Sequence, residues 1–177
     1  SVGIDPDWLS LHEHRLGLAG AVAFSDDLPF APNTFDVAFA SWVLEHLARP
    51  FHTFQSIARV LKPGGVFVFI TPNGRHPLAL LNKMMGRLGK VQGRLVAGLY
   101  GRSADDTFAT HYRANSRHDL ENLATQSGLQ LTALHTIPDP TYLAFNRPLF
   151  NLMSHFEDLL PAGRKIHLVG ILVKSDK

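Results

Sequence analysis

The chain has 177 residues, a formal net charge of +2, 45% hydrophobic and 18% charged residues, and no cysteine. That length suits one domain with a sizeable core, and the composition excludes global disorder. The missing thiols exclude disulfides, thiolate metal sites and a cysteine nucleophile, and they fit a reducing, cytoplasmic setting.

In chain order, Val2-Gly3-Ile4 reads as a short buried strand ending at Asp5-Pro6. Because the sequence opens on strand-like residues with Ser1 rather than Met, an upstream segment is expected. Asp7 to Leu16 predicts a short helix closed by Gly17 and Gly20, and Ala21 to Phe24 predicts a second strand before the loop Ser25 to Asn33. Phe35 to Ala40 is apolar enough to predict a strand buried on both faces. After Pro50, the residues Phe51, Phe54, Ile57, Ala58 and Leu61 form one core-facing helical stripe, with Lys62-Pro63-Gly64-Gly65 as its stop. Val66 to Ile70 is a strand by the same reasoning, ended by Thr71-Pro72-Asn73-Gly74.

From about residue 75 to 112 the rhythm breaks into an inserted helical region. Six basic residues and no acids lie between Gly74 and Ala104, leaving eleven basic and fifteen acidic residues elsewhere. Lys83, Arg87, Lys90 and Arg94 share one helical stripe, and Leu81, Met85, Leu88, Val91 and Leu95 share another. This pattern fits a lid that meets an anionic or lipid-like acceptor or a membrane surface. It equally fits a solvated helix packed on the body. Nucleic-acid binding is not expected, since no basic groove is interleaved with aromatics. Ser116 to Ser127 predicts a helix opened by a Ser116–Asp119 capping box and closed by Gly128. Leu129 to Ile137 and Ile166 to Lys174 predict late strands around a helix near Pro148 to Leu160. Alternating strands and helices predict an α/β fold, a mostly parallel sheet covered on both faces.

In such sheets ligands sit beyond the carboxyl ends of the strands. Asp5 is therefore a candidate to accept ribose hydroxyls, with a helix cap as the alternative. Asp26, Asp27 and Leu28 are candidates to flank a base, or form an ordinary turn. Ser41 and Trp42 follow the third strand and are candidates to line a cofactor's tail. His46 is the best candidate general base because imidazole titrates near neutrality, although a structural role for Glu45-His46 competes with it. Tyr112 and Arg113 are candidates to touch a substrate, or simply pack. His12 and His14 point apart on a helix, and no His/Asp/Glu group has metal-ligand spacing.

The words Val2-Gly3-Ile4-Asp5, Leu28-Pro29-Phe30, Asn33-Thr34-Phe35-Asp36, Ser41-Trp42-Val43-Leu44-Glu45-His46-Leu47 and Ala58-Arg59-Val60-Leu61-Lys62-Pro63-Gly64-Gly65, in this order and spacing, closely resemble class I S-adenosylmethionine-dependent methyltransferases of the type 11 group. The resemblance implies a Rossmann-like fold with an antiparallel final strand. It places Asp5 and Pro6 at the cofactor ribose, Asp26 to Leu28 around adenine, and Ser41, Trp42 and Val43 beside the methionine end. It also implies methyl transfer to a small-molecule or lipid-like acceptor by proximity, with little compulsory acid–base chemistry.

Two departures stand out. The family's Gly-x-Gly-x-Gly loop and first strand are absent, and Phe24-Ser25 occupies the position where many members carry an acid. That first strand lies between the strand ending at Asp5 and the one starting at Phe35, so both are expected to lose a neighbour, and S-adenosylmethionine binding by these residues alone is expected to be poor. A nicotinamide-dependent oxidoreductase and a non-catalytic binding module are the competing readings.

Overall fold

A computed structural model describes residues 1–13, 19–86, 109–143 and 146–175. Strand β1 (Val2–Asp5) leads into helix α1 (Trp8–His12) and strand β2 (Ala19–Val22). Asp7 caps α1 by accepting the Ser10 amide at 2.9 Å and the Ser10 hydroxyl at 2.7 Å. Among the described residues this helix is shorter than the predicted one, whose last positions lie outside them. Gly20 does not close the helix; it is a strand residue paired with Gly3. The second strand accordingly begins two residues before its predicted start and leaves Phe24 exposed beyond its end.

Strand β3 (Phe35–Ser41) is followed by a 3-10 turn (Leu44–His46), helix α2 (Pro50–Val60) and strand β4 (Leu61–Pro72). Pro50 starts α2, where its missing amide proton costs nothing. The predicted stripe is borne out at Phe54, Ile57 and Ala58, which are buried. Lys62-Pro63-Gly64-Gly65 does not stop the helix, which has already ended at Val60. Instead these four residues loop out of β4, because Phe35 pairs with Leu61 and Val37 with Val66. Gly64 has φ 71°, and a Cβ on Gly65 would stand 2.8 Å from the Lys62 carbonyl, so the loop needs glycine at both positions.

Helix α3 (Pro77–Gly86) begins the predicted insert; the stripe positions Arg87, Lys90, Arg94, Leu88, Val91 and Leu95 lie outside the described residues. Helix α4 (Arg117–Gln126) carries the predicted cap: the Ser116 hydroxyl oxygen accepts the Asp119 amide at 3.2 Å, and the Ser116 hydroxyl donates to the Asp119 carboxylate at 2.5 Å. Gly128, at φ 74°, supplies the left-handed exit. Strand β5 (Leu129–Ile137), helix α5 (Arg147–Leu159) and strand β6 (His167–Lys174) complete the order. Asn146 caps α5 by accepting the Leu149 amide at 2.9 Å.

Among the described residues two sheets result: β1–β2, parallel, and β3–β4–β6–β5. In the larger one β3 and β4 are parallel, and β6 runs antiparallel to both β4 and β5, so β6 alone opposes the other three. This is the expected α/β arrangement with an antiparallel final strand. The main core gathers Phe54, Val60, Leu61, Phe67, Phe69, Leu120, Leu168 and Leu172. Phe69 lies over Gly170, its cross-strand partner, so closely that a Cβ there would fall 2.2 Å from the ring.

β3 departs from its prediction. Ala38 and Ala40 pack on the core, but Val37 and Phe39, on the other face, are 60% and 68% exposed. Among the described residues nothing covers that side of β3, and its only ladder partner is β4, as β1's is β2. Apolarity specified a strand suited to two buried faces; only one has a neighbour.

Candidate functional site

The predicted site residues lie at or beyond the ends of β1, β2 and β3, apart from Tyr112 and Arg113, which precede α4, and a series of hydrogen bonds links the segments that carry them. Asp5 ends β1, where its Oδ1 accepts the Asp7 amide at 2.8 Å and its carbonyl accepts the Ala23 amide at 3.2 Å. The helix cap considered for Asp5 thus belongs to Asp7, and Asp5 keeps its second carboxylate oxygen outside this turn. Pro6 is exposed within it.

The loop after β2 is fastened to α2. Ser25 and Thr53 share a hydroxyl contact at 3.2 Å, the Leu28 amide donates to Ser56 Oγ at 3.0 Å, and Arg59 donates to the carbonyls of Leu28 at 2.6 Å and Phe30 at 2.5 Å. Asp26 forms an ion pair with Arg49 at 2.7 Å, just before α2. The Asp27 amide donates to the Phe24 carbonyl at 3.1 Å, closing a turn, and Leu28 is buried in the main core. The Leu28-Pro29-Phe30 word therefore exists to be gripped by Arg59, and the Asp26–Arg49 pair joins the end of β2 to the segment after β3.

That segment holds a strained backbone position, and Tyr112, with φ 51°, is another. Trp42 has φ 58°, a left-handed conformation that costs a bulky side chain of order 1–3 kcal/mol and persists only where its surroundings enforce it. Its amide donates to the Ile70 carbonyl at 3.0 Å, and its indole meets the His167 ring edge-on, centroids 4.8 Å apart. Ser41, Trp42 and Val43 are all exposed, Trp42 by 44%.

Beneath them Glu45 is 5% exposed, and burial raises its pKa. Its Oε2 accepts the Thr71 hydroxyl at 3.0 Å, and Thr71 Oγ1 in turn accepts from Asn115 Nδ2 at 2.7 Å. His46 bonds through Nδ1 to the Ala109 carbonyl at 3.2 Å; a carbonyl can only accept, so Nδ1 carries the proton. Its Nε2 lies 3.9 Å from Glu45 Oε1. Tyr112 and Arg113 also reach this turn. The Tyr112 amide donates to the Glu45 carbonyl at 3.2 Å and Arg113 donates to the Ala48 carbonyl at 2.5 Å, so both hold the chain after the insert against residues 45–48.

Sequence reasoning missed a second polar group around the ends of β4 and β5. The buried His76 accepts the Leu78 amide at Nδ1, 3.1 Å, and therefore donates from Nε2 to Glu157 at 2.8 Å. Burial pushes the His76 pKa down to about 4 and the Glu157 pKa upward, so the imidazole is neutral at pH 7. Asn73 donates to the carbonyls of Gly163 at 3.1 Å and Lys165 at 2.8 Å. Asp139 accepts from His167 at 3.0 Å; burial would raise its pKa, but hydrogen bonds from Thr141 and His167 prevail and hold it low. The only hint in the sequence was the polar run Thr71-Pro72-Asn73-Gly74, which reads equally well as a strand stop. Among the described residues no cluster of His, Asp or Glu can hold a metal ion, and no helix is long and apolar enough to cross a membrane.

Comparison with known proteins bears on this arrangement. The family model described as a methyltransferase domain matches residues 2–69, the stretch from β1 through most of β4. Over this stretch the chain is similar to methyltransferases. An uncharacterised methyltransferase of Mycolicibacterium vanbaalenii is 31% identical over 96 residues, 49% of this chain and 38% of that protein. Another from Mycobacterium sp. (strain JLS) is 28% identical over 140 residues, 75% of this chain and 54% of that protein. The chain thus spans about half or less of the length of these curated relatives. In fold it is similar to an S-adenosylmethionine-dependent methyltransferase from Mesorhizobium loti, with a TM-score of 0.63 at 17% identity over 98% of this chain and 79% of that one. The family match does not favour the oxidoreductase or binding-module readings.

Proposed function

We propose that this chain is part of a methyltransferase, binds S-adenosylmethionine along the segments after β1, β2 and β3, and serves methyl transfer to a small-molecule acceptor. The observation that carries the reading is the left-handed, exposed Trp42 at the end of β3, with Ser41 and Val43 beside it, linked through Asp26–Arg49 to the loop after β2. A strand end that stops in a strained, solvent-facing aromatic is suited to a ligand rather than to packing.

The residues fit the cofactor's chemistry in part. Asp5 offers a carboxylate oxygen beyond its own turn to accept ribose hydroxyls, Asp27 offers an acceptor for an adenine amino group, and Ser41 to Val43 offer a polar and apolar edge for the methionine end. The cofactor supplies an electrophilic methyl group on a sulfonium. The chain's part is to hold that group in line with an acceptor and exclude water, which needs no obligatory base. His46, with its Nδ1 proton committed to Ala109, orients the turn and is in reach to take a proton at Nε2 from an acceptor that must lose one. Tyr112 and Arg113 border the acceptor side. We read α3, the described start of the insert, as part of a cover over it, supported by Leu80, Leu81 and Met84, which α3 leaves exposed by 47%, 52% and 66%. A lipid-like acceptor or a membrane contact would meet that surface.

The described residues are expected to hold the cofactor weakly, since among them β1 pairs only with β2 and β3 only with β4, and neither has a neighbour on its other edge to carry a glycine-rich loop. Heteronuclear NMR with S-adenosylhomocysteine at millimolar concentration tests the reading: amides of Asp5, Asp27 and Ser41 to Val43 should shift together. Shifts confined to other surfaces would refute the site, and micromolar affinity would refute the weak-binding expectation.

A further inference from the structure

We infer that Asp139 and His167 act together as a positioning pair that sets the indole of Trp42 as one wall of the acceptor end of the groove, an inference that rests on the methyltransferase reading of that groove. Three independent elements meet here: Trp42 from the end of β3, His167 from the start of β6, and Asp139 just beyond the end of β5. Because β6 is antiparallel to β4 and β5, its first residue lies beside their last ones: His167 pairs with both Pro72 and Ile137. The fold thus delivers a histidine from the start of one strand to the place where its neighbours end.

The chain of support runs inward from solvent. Thr141 donates its amide to Asp139 Oδ1 at 2.9 Å and its hydroxyl to the same oxygen at 2.5 Å, which leaves Oδ2 for His167 Nε2 at 3.0 Å. A carboxylate fixed in this way fixes the plane of the imidazole. The His167 side chain is 6% exposed and the indole stands against it at an interplanar angle of 75°. One side of Trp42 is therefore fixed by a buried ring, while the 44% that stays exposed is available to a ligand. Trp42 cannot choose its own direction cheaply, since its backbone is already in the left-handed region. Two constraints, one on the backbone and one on the ring, converge on a single side chain, the arrangement expected where an aromatic surface must be ready before the ligand arrives. Glu45, His76 and Glu157 are the other titratable groups whose charges act on or with His167, and none of them bonds to Asp139.

The test reads Trp42 directly. Trp8, the other tryptophan, also stacks on a histidine, His12, at 4.8 Å, so Trp8→Phe is made first to leave one emitter. In that background acrylamide quenching is compared for the parent, Asp139→Ala, Asp139→Asn and His167→Ala, with far-ultraviolet circular dichroism to confirm the fold. Release of a ring that is 44% exposed should raise the quenching constant about twofold in Asp139→Ala and His167→Ala. Asp139→Asn, which keeps an acceptor for Nε2–H, should restore the parental value. Equal quenching in all four proteins, or an Asn variant no better than the Ala variant, would overturn the pairing. If His167→Ala fails to fold, the two Asp139 variants decide alone, since that side chain is 32% exposed. Adding S-adenosylhomocysteine at millimolar concentration, in keeping with the weak binding expected, tests the groove separately from the pairing. A parental protein whose Trp42 obeys the pairing yet ignores the cofactor product would sink the methyltransferase groove and leave only an ordered tryptophan.

Discussion

Acid should weaken this fold through one histidine, and the amount can be worked out. His76 has no solvent-exposed surface, receives the Leu78 amide at Nδ1 and gives its proton to Glu157. A second proton has nowhere to go without breaking the bond at Nδ1, and burial accordingly drops the pKa from the ordinary 6.5 to about 4. The unfolded chain thus binds the proton more readily than the folded one, so this contribution to stability is complete above pH 6.5 and is lost as pH falls toward 4. Integrated from pH 7 to pH 5, that difference amounts to about 2 kcal/mol, a large part of the 5–15 kcal/mol typical of a domain.

Glu45 and Glu157, whose pKa values are raised by burial, act with the opposite sign, because the folded form holds their protons more tightly. The measurement must therefore be a difference of differences: urea unfolding at pH 7 and pH 5 for the parent and for His76→Gln. The parent should lose about 2 kcal/mol more than the variant over this interval. An equal loss in both proteins would show that His76 does not sit neutral in its site, and the tautomer assigned from its two bonds would be wrong.

Two further changes probe the frame that carries the site. Gly170→Ala would put a methyl group 2.2 Å from the fully buried ring of Phe69, across the β4–β6 ladder, and should cost about 3 kcal/mol by urea unfolding; a loss below 0.5 kcal/mol, on the order of an ordinary surface change, would mean that the ring has room to move. Ser116→Ala removes the acceptor for the Asp119 amide at the start of α4 and should cost about 1 kcal/mol, measured in the same way, whereas Ser116→Asp should cost almost nothing.

The parts of this fold that were legible in the sequence are those governed by local chemistry. The Ser116–Asp119 cap, the left-handed Gly128 and the apolar strand β5 were readable because each depends on residues within a few positions of one another. The same holds for the Phe54, Ile57 and Ala58 stripe. The Lys62-Pro63-Gly64-Gly65 word misled, since glycine and proline that end a helix also permit a strand to bulge, and only the pairing of Phe35 with Leu61 distinguishes the two. Of the candidate site, Asp5, Asp26, Asp27 and Trp42 were proposed from their position after apolar runs. The His76–Glu157 and Asp139–His167 pairs were not, because their partners are 81 and 28 residues apart and no local pattern announces a bond closed by tertiary packing.

The division of the sheet has a consequence for how the molecule comes apart. β1 and β2 hold each other through four paired positions. They join the rest through Ile4 on the core and the bonds that the loop after β2 makes to α2. The β4–β6 ladder, by contrast, is interlocked along seven positions, with Phe69 seated on Gly170. Partial opening therefore has a preferred first step: the small sheet swings away as a unit at a cost well below that of global unfolding, carrying Asp5 with it while Trp42 stays behind. Whatever bridges those two residues will also act as a clasp between the less durable and the more durable halves of the chain.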